Sequence, residues 1–292
     1  MTVTIYGTSA IHVLYEAEPS EDLTLGRVEL TVGGPATVVA FQLALLGHPA
    51  RFVGTVGADS AGQFVLSELQ RAGVDCSAVM TGGRTPRVVA AAGGGDVRLT
   101  ADVTGSDVPP PPRWLEANAL DGIGYVTGFP EMVPVVQALG ALGHRLVVDL
   151  GFIPLLAQPQ KLLAHVRSIA PAIGVAVING APLGPRDRLA LVETCLAGGA
   201  SAVLITLGED GVQVTTPDFH EHLPAFTVTA TDSLCAGDAF VAGYLCATRE
   251  GQDLLEAVAF GQAVAASKVS LFGGFPRRSD VDAFLSRQRV AR

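Results

Sequence analysis

The 292-residue sequence predicts an α/β fold, in which a mostly parallel, doubly wound sheet carries helices on both faces and has a small β-sheet lid beside it. First, short β-branched runs alternate with segments of helical spacing, as in parallel sheets whose strands are joined by crossover helices. Second, several helical segments begin at proline or serine and end at glycine. Third, two regions contain consecutive strand-like runs with no helix between them, which indicates a separate small sheet.

The main sheet and its helices account for most of the chain. Strands are predicted at residues 3–6, 51–56, 123–127, 146–149, 175–178 and 202–206. Helices are predicted at residues 35–46, 60–72, 130–142, 159–169, 185–197, 236–248 and 253–267. The first helix has Pro35 in its first turn and stops at Gly47, and the second has Ser60 as its cap and stops at Gly73.

The predicted lid consists of two pairs of strand-like runs. Residues 12–16 and 25–32 follow each other without a helix, and residues 87–92 and 97–102 flank a GGGD turn typical of a hairpin. The lid is therefore predicted at 11–32 and 84–103, and the α/β core at 1–10, 33–83 and 104–292. An exposed lid sheet has edges that can pair with a second copy of the chain, so a homodimer through the lid is expected.

Composition and charge disfavour several classes of protein. The net charge is −9 and the basic residues are scattered, apart from a short C-terminal cluster, so nucleic acid is not an expected partner. No uninterrupted apolar run approaches the roughly 18 residues that span a bilayer, so no membrane partner is expected. The first residues lack a basic region and a leader-like apolar block, which predicts a cytoplasmic protein. Four cysteines without CxxC or metal-type spacing indicate reduced thiols.

The stretch TATDSLCAGDAFVAGYL contains the strongest candidate site. Phe240, Val241 and Tyr244 have helical spacing, so a helix is predicted to begin near Ala236. Its first N–H groups have no partner within the helix and are flanked by small residues, which is typical of an anion site. Asp238 lies in that first turn and has two interpretations. It is either an acid that suits the helix dipole, or a general base beside bound phosphate.

Several stretches together resemble the ribokinase-like (PfkB) family of carbohydrate kinases. They are GGPATVVAFQLALLG, RFVGTVGADSAG, ITLGEDGV, DSLCAGDAFVAGYL and SLFGGFP, in this order, and the resemblance covers nearly the whole chain. The DxxxAGD turn is the most specific of them. The resemblance implies an α/β core with a β lid that uses ATP and Mg²⁺ to phosphorylate the hydroxyl of a sugar, nucleoside or related small alcohol.

The resemblance also implies roles for individual residues. Asp238 would be the catalytic base, and the backbone of Cys235, Ala236 and Gly237 would form the anion hole. The expected nucleotide-binding residues are Thr206, Gly208, Gly211 and Asn179. The expected substrate-binding residues are His12, Gly33, Gly34, Val38 and Arg98. A monovalent cation such as K⁺ would lie near Asp232, Ser233 and Gly273.

Four positions depart from the family pattern. His12 stands where the family commonly has Asp, and Val38 stands where it commonly has Asn, which leaves two sugar contacts altered. Cys235 replaces the first glycine of GAGD, and this replacement costs on the order of 1 kcal/mol if the position needs a positive φ. Pro182 replaces the acid of the NxxE element that organises Mg²⁺.

The departures leave alternatives open for chemistry and function. Asp149 or Glu209 is a candidate to replace the missing acid, and the thiol of Cys235 is either a tolerated small residue or one activated by the helix N-terminus. The altered sugar contacts favour a less polar or differently shaped alcohol, such as a nucleoside or a modified sugar. The chain is interpreted as a kinase, and the alternative is a non-catalytic sensor of a nucleotide or metabolite. A dehydrogenase is disfavoured because no GxGxxG follows the first strand.

Overall fold

A computed structural model describes residues 2–16, 27–93, 96–102, 120, 122–151 and 157–290. The chain divides into two compact units. The first unit comprises residues 1–7 and 109–226, and the second unit comprises residues 8–108 and 227–292.

The described strands and helices confirm the predicted α/β composition. The strands are β1 (Thr2–Thr8), β2 (Ala10–Glu16), β3 (Val28–Gly33), β4 (Ala50–Val56), β5 (Asp75–Thr81), β6 (Arg87–Gly93), β7 (Asp96–Asp102), β8 (Gly122–Thr127), β9 (Leu146–Asp149), β10 (Ile173–Asn179), β11 (Ala202–Thr206), β12 (Val212–Thr215) and β13 (His220–Leu223). The helices are α1 (Pro35–Leu45), α2 (Ser60–Ala72), α3 (Val133–Ala141), α4 (Pro159–Ile169), α5 (Pro185–Ala197), α6 (Ala236–Arg249), α7 (Leu254–Val269) and α8 (Arg278–Val290). Short 3₁₀ turns occur at Pro130–Met132, Ala170–Ala172 and Gly208–Asp210.

The first unit is built on a mostly parallel sheet with the strand order β13-β12-β11-β10-β9-β8-β1. The neighbours from β1 to β11 are parallel, whereas β12 and β13 pair antiparallel at the edge. The register places Asn179 opposite Thr206 and Asp149 opposite Val177. Because the strands run in the same direction, the polar residues that end β9, β10 and β11 lie at one edge of this sheet.

The second unit contains a parallel pair, β4 and β5, and a separate four-stranded sheet with the order β3-β2-β6-β7. In the small sheet β2 pairs parallel with β6, and the other pairs are antiparallel. His12, Leu14 and Ala90 are buried on one face of this sheet. Exposed apolar side chains occupy the other face, and they are Tyr15, Val28, Leu30 and Val89.

Helix α2 shows how the local sequence sets a helix boundary. Asp59, not the predicted Ser60, is the N-cap: its carboxylate accepts the Gly62 N–H at 2.8 Å, and it also accepts the Thr85 hydroxyl at 2.6 Å. A carboxylate that joins a helix start to a distant segment satisfies more donors than the Ser60 hydroxyl would. The predicted end at Gly73 is confirmed, since this residue has φ 90°.

Helices α6 and α7 pack closely and thereby bring the end of α7 to the start of α6. A Cβ on Gly243 would lie 2.9 Å from the Cα of Gly261, so bulkier residues would separate the two helices. At the C-terminal end of α7 the Val269 carbonyl accepts the N–H groups of Thr231 and Asp232. These bonds attach the turn at 232–238 to α7.

The predicted fold class is confirmed: a mostly parallel sheet with helices and a separate small sheet. Strands β5, β12 and β13 were not predicted. The boundaries of core and lid stay predictions, because the two compact units follow a different division of the chain. Among the described helices, none combines the length and the apolar character that crossing a bilayer requires.

Candidate functional site

The turn before α6 has an unusual backbone conformation at Cys235. Its φ is 61° and its ψ is 16°, and among the described residues it is the one non-glycine with a positive φ. This left-handed conformation lets the chain reverse direction and start α6 at Ala236. The condition under which a cysteine at this position is strained, a positive φ, is therefore met. A side chain in this conformation costs on the order of 1 kcal/mol.

The amides of the turn differ in what they contact. The Ala236 N–H donates to the Ser233 carbonyl at 3.2 Å, so its predicted part in an anion hole is corrected: it closes the turn. Within the described part of the chain, no group accepts the N–H of Cys235 or of Gly237. Gly237 is exposed, and a Cβ on it would meet no atom within 4 Å. The open helix start therefore lies at Gly237, next to the half-buried Asp238.

The Cys235 side chain connects Asp238 with His12. Its Sγ lies 3.5 Å from His12 Nδ1, and its thiol hydrogen-bonds to the Asp238 carboxylate. Burial, followed by the negative charge of Asp238, raises the pKa of the Cys235 thiol well above its ordinary value. The interpretation of Cys235 as a thiol activated by the helix N-terminus is therefore wrong, since a protonated thiol is a poor nucleophile.

His12 is buried, with 7% of its surface exposed, and both ring nitrogens contact protein groups. Burial lowers the pKa of His12 to about 4, although the charge of Asp232 opposes this effect. The neutral ring accepts the Gly34 N–H at Nε2, at 3.4 Å, so Nδ1 carries the hydrogen and donates to Cys235 Sγ. The prediction that His12 binds substrate is corrected: its ring supports the turn through Cys235.

The two glycines before α1 make room for this histidine. A Cβ on Gly33 would lie 2.2 Å from His12 Cδ2, and Gly33 is itself buried. Gly34 has φ 84°, and a Cβ on it would lie 3.0 Å from the Ala10 nitrogen. The group that approaches the Gly33 backbone is thus the protein's own imidazole. A substrate contact at Gly33 is therefore not supported.

The remaining predicted substrate residues lie elsewhere. Val38 is 0% exposed in α1 and belongs to the hydrophobic core, so its predicted contact with substrate is wrong. The apolar side chain packs where the family's amide would need hydrogen-bond partners. Arg98 lies in β7 opposite Ala91 of β6, and its side chain falls outside the described residues.

Lys268, near the end of α7, is a buried residue of the turn region that the sequence reasoning missed. It is 2% exposed, and its Nζ donates to the Asp232 carboxylate at 2.5 Å and to the Asp232 carbonyl at 3.3 Å. The same carboxylate accepts the N–H groups of Gly273 at 3.1 Å and Leu234 at 2.8 Å. One signal was available, because the chain has only two lysines and this one lies in an otherwise uncharged helix segment.

The residues expected to hold a monovalent cation do not fit one. Asp232 and Gly273 do converge, but Gly273 contributes an N–H donor and the oxygens of Asp232 contact an ammonium. Ser233 is exposed. A second cation 4 Å from Lys268 Nζ would be repelled by about 4 kcal/mol at an effective dielectric constant of about 20. The predicted cation site is therefore corrected to a buried ion pair.

The polar strand ends of the first unit form a separate group of candidate site residues. Asn179 Oδ1 accepts the Ala181 N–H at 3.3 Å, and the Thr206 hydroxyl donates to the Ile178 carbonyl at 3.3 Å. Asp149 accepts the Gly151 N–H at 2.8 Å and the Tyr125 hydroxyl at 3.2 Å. Removal from water raises the pKa of Asp149 in spite of these bonds.

The two glycines of the TLGEDG loop have different surroundings. Gly208 is exposed with φ 62°, and a Cβ on it would meet no atom within 4 Å. Gly211 is buried with φ 97°, and a Cβ on it would lie 2.1 Å from the Leu223 carbonyl oxygen. Gly211 also uses its N–H and its carbonyl in turn hydrogen bonds to Gly208 and Leu207. The nucleotide contact of Gly208 stays a prediction, whereas Gly211 closes the loop and is too enclosed to contact a nucleotide.

The acid missing at Pro182 has one half-buried candidate replacement. Pro182 is exposed, and Asp149 offers carboxylate oxygens at the same sheet edge as Asn179. A Cβ on Gly151 would lie 2.9 Å from Asp149 Oδ1 and 3.9 Å from Asn179 Cβ, so the two side chains are neighbours. Mg²⁺ prefers such oxygen ligands together with substrate phosphates, and the residues present fit it. Glu209 is exposed on the 3₁₀ turn.

Comparison with known proteins decides the family. The model of the pfkB family carbohydrate kinases matches residues 2–105 and 146–275. The chain belongs to this family. Its members are carbohydrate kinases, and the family resemblance predicted from the DxxxAGD turn is confirmed.

Individual relatives resemble the chain over nearly its whole length. A ribokinase from Haemophilus influenzae is 26% identical, over 97% of this chain and 98% of the relative. A ribokinase structure from Thermotoga maritima has a TM-score of 0.78 at 22% identity and covers 98% of both chains. A candidate ribokinase II from Escherichia coli, in complex with ATP and Mg²⁺, has a TM-score of 0.78 at 17% identity and covers 98% of this chain and 99% of the other. The structural likeness establishes the fold.

Proposed function

We propose that this pfkB-family chain transfers the γ-phosphoryl group of ATP to the hydroxyl of a sugar, nucleoside or related small alcohol. The observation that carries the proposal is the start of α6, where the half-buried Asp238 adjoins the exposed Gly237 and the open space in front of it. An isolated acid in a first helical turn is common. Here, however, a strained residue and a buried histidine hold the turn in place.

The chemistry assigned to the turn is proton transfer and charge stabilisation. Asp238 accepts the proton of the acceptor hydroxyl as that oxygen attacks the γ-phosphorus in line. The Gly237 N–H and the positive end of the α6 dipole stabilise the negative charge that spreads over the transferred group. Cys235 donates its thiol hydrogen to Asp238, and this bond orients the carboxylate without competing for the substrate proton.

The nucleotide is assigned to the strand edge of the first unit. Thr206, Gly208 and Asn179 would contact ATP, and Asp149 would hold Mg²⁺, which supplies positive charge to the β- and γ-phosphates. The complex of the Escherichia coli relative with ATP and Mg²⁺ supports the choice of these two ligands. The four-stranded sheet is proposed as a lid that excludes water during transfer.

The proposed substrate class rests on two side chains, at positions 12 and 38, that do not supply polar contacts to a sugar. His12 has both ring nitrogens engaged, and Val38 is a core residue, so two polar contacts that the family commonly makes to sugar hydroxyls are not supplied. This supports an alcohol that is less polar, or differently shaped, than a typical pentose or hexose. A nucleoside or a modified sugar meets that description.

A substrate-panel assay tests the proposal. Purified protein is incubated with ATP and Mg²⁺ and a panel of pentoses, hexoses, amino- and deoxy-sugars and nucleosides, and formation of ADP and of the phosphorylated alcohol is measured. We expect ADP formation that depends on one class of alcohol and saturates with it. Binding of ATP·Mg²⁺ by calorimetry without turnover on any alcohol would contradict the proposal.

That contradicting outcome would instead support a second candidate function, a sensor that binds a nucleotide or metabolite. The observation that favours it is the exposed Pro182 in place of the family's acid. A sensor does not need Mg²⁺ organised for transfer. It would bind ATP or a metabolite with a measurable heat and release neither ADP nor a phosphorylated product.

A homodimer through the small sheet is proposed as the assembly. Its outer face exposes Tyr15 (40%), Val28 (63%), Leu30 (49%) and Val89 (39%) side by side, and contiguous apolar faces are typical of interfaces. Sedimentation analysis is expected to give a dimer for the wild type and a monomer for Leu30→Glu. The exposed Leu142→Glu on the first unit is the control and should leave the dimer intact. A monomeric wild type would contradict the assignment.

A further inference from the structure

The buried ammonium of Lys268 takes no part in the proposed phosphoryl transfer, yet it contacts Asp232 in the same turn as Asp238. Both members of this ion pair are buried, with 2% and 1% of their surfaces exposed. Burying two charges is costly unless their hydrogen-bonding groups are satisfied. The pair meets that condition, because Asp232 accepts N–H groups from Leu234 and Gly273 as well as from Lys268.

The choice of lysine at this position is itself informative. Of the 19 basic residues only Lys161 and Lys268 are lysines, and Lys161 is exposed. A guanidinium is planar and binds carboxylates in a bidentate manner, whereas an ammonium is a compact charge with three N–H donors that point in different directions. The Lys268 ammonium donates to the Asp232 carboxylate and the Asp232 carbonyl, and its Nζ lies 6.0 Å from the centroid of the Phe275 ring. Oxygens converging on a compact positive charge are what a monovalent cation would also require.

We propose that the Lys268 ammonium takes the place of the monovalent cation expected at Asp232, Ser233 and Gly273, so that the turn keeps its conformation without K⁺. As far as turnover is concerned, this inference rests on the proposed kinase function. Lys268 is then a positioning residue. Its charge balances that of the buried Asp232 carboxylate, and that carboxylate accepts the Leu234 N–H immediately before the left-handed Cys235.

The first test uses the wild-type protein and needs no substitution. The thermal unfolding midpoint and the turnover are measured in KCl and in tetramethylammonium chloride at equal ionic strength. Both are expected to agree, within twofold for turnover, because no free cation is required. A saturable, tenfold or larger activation by K⁺, or a midpoint that rises only with K⁺, would overturn the proposal. The unfolding midpoint does not depend on turnover, so this arm remains decisive even if the substrate panel shows no kinase activity.

The second test asks whether a free cation can replace the side chain. Lys268→Ala removes the ammonium and leaves space, so its unfolding midpoint should be lower in tetramethylammonium and should be restored by K⁺ or NH₄⁺ with saturation. Lys268→Met removes the charge but fills the space, so K⁺ should not restore it. Lys161→Ala, at an exposed position, should behave as the wild type in both salts.

The outcomes of the second test are unambiguous. Restoration of Lys268→Ala, with none of Lys268→Met, supports the proposal. The proposal is also supported if Lys268→Ala folds in K⁺ but not in tetramethylammonium, as measured by far-ultraviolet circular dichroism. Equal stability of Lys268→Ala in the two salts, or failure to fold in either, contradicts it, because a free K⁺ would then not replace the ammonium.

Discussion

The turn of the second unit and the strand edge of the first unit depart from the family pattern in different ways. In the turn, the two replaced positions touch, since Cys235 Sγ lies 3.5 Å from His12 Nδ1. At the strand edge, the replaced position is the exposed Pro182, and the nearby carboxylate comes from another strand, at Asp149. Replacements whose side chains contact each other must therefore suit one another, whereas a replacement at an open edge can be compensated from a neighbouring strand.

Asp238 of the turn is the proposed base that accepts the substrate proton. The substitution Asp238→Asn tests this role and has the largest expected effect. Asparagine keeps the size and the hydrogen bond from Cys235 but cannot accept the substrate proton. Turnover is expected to fall about 100-fold to 10,000-fold, while ATP binding measured by calorimetry is retained. Asp218→Asn, in the exposed loop between β12 and β13, is the matched control and should leave turnover unchanged. Near-normal turnover of Asp238→Asn would refute the assignment of the base.

His12 should make the turn sensitive to acid. Because its pKa is lowered to about 4 in the folded state, the unfolded chain binds a proton below pH 6.5 and the folded chain does not. Stability is therefore lost as the pH falls from about 6.5 towards 4, by on the order of 3 kcal/mol. Urea unfolding at several pH values should show this loss in wild type and not in His12→Gln. His220→Gln, on the exposed edge strand, should keep it, and equal acid sensitivity of all three proteins would exclude His12 as the cause.

Asp149→Asn tests whether the strand edge compensates for Pro182. If Asp149 holds Mg²⁺, the concentration of Mg²⁺ needed for half-maximal turnover should rise about 10-fold to 100-fold. Glu209→Gln removes the other candidate carboxylate, which is exposed on the 3₁₀ turn. This variant should need nearly the same Mg²⁺ concentration as the wild type. If Glu209→Gln raised the required Mg²⁺ concentration more than Asp149→Asn did, Glu209 would be the Mg²⁺ ligand instead of Asp149.

The smallest expected effect concerns the strain at Cys235. Cys235→Ala and Cys235→Gly both remove the thiol, so their difference reports the cost of a side chain at φ 61°. Glycine should be more stable than alanine by roughly 0.5–1 kcal/mol, after its larger unfolded-state entropy is subtracted. Urea unfolding at neutral pH measures this difference. An alanine variant as stable as the glycine variant would show that the strain is no larger than the entropic cost of glycine.

The sequence alone predicted most of the helices and strands, because their local signals are strong. Pro159 and Pro185 mark helix starts, and the β-branched runs at 146–149 and 202–206 match β9 and β11 at both ends. Strands β12 and β13 were missed because each has only four residues, and the edge strand β13 is also exposed and polar. The range of α2 was predicted, but its N-cap was assigned to Ser60 instead of Asp59, whose carboxylate also binds a distant threonine.

The sequence by itself determined the family, the position of α6 and the presence of Asp238 in its first turn, because these depend on neighbouring residues and on a short motif. Only the tertiary structure decided the surroundings of that turn. His12 and Cys235, which are in contact, lie more than 200 positions apart in the sequence. Asp232 and Lys268 lie 36 positions apart, so no local sequence pattern predicts their ion pair. Burial makes both contacts important. It lowers the pKa of the His12 imidazole, and it keeps water from the Asp232 carboxylate, which therefore needs donors from the protein.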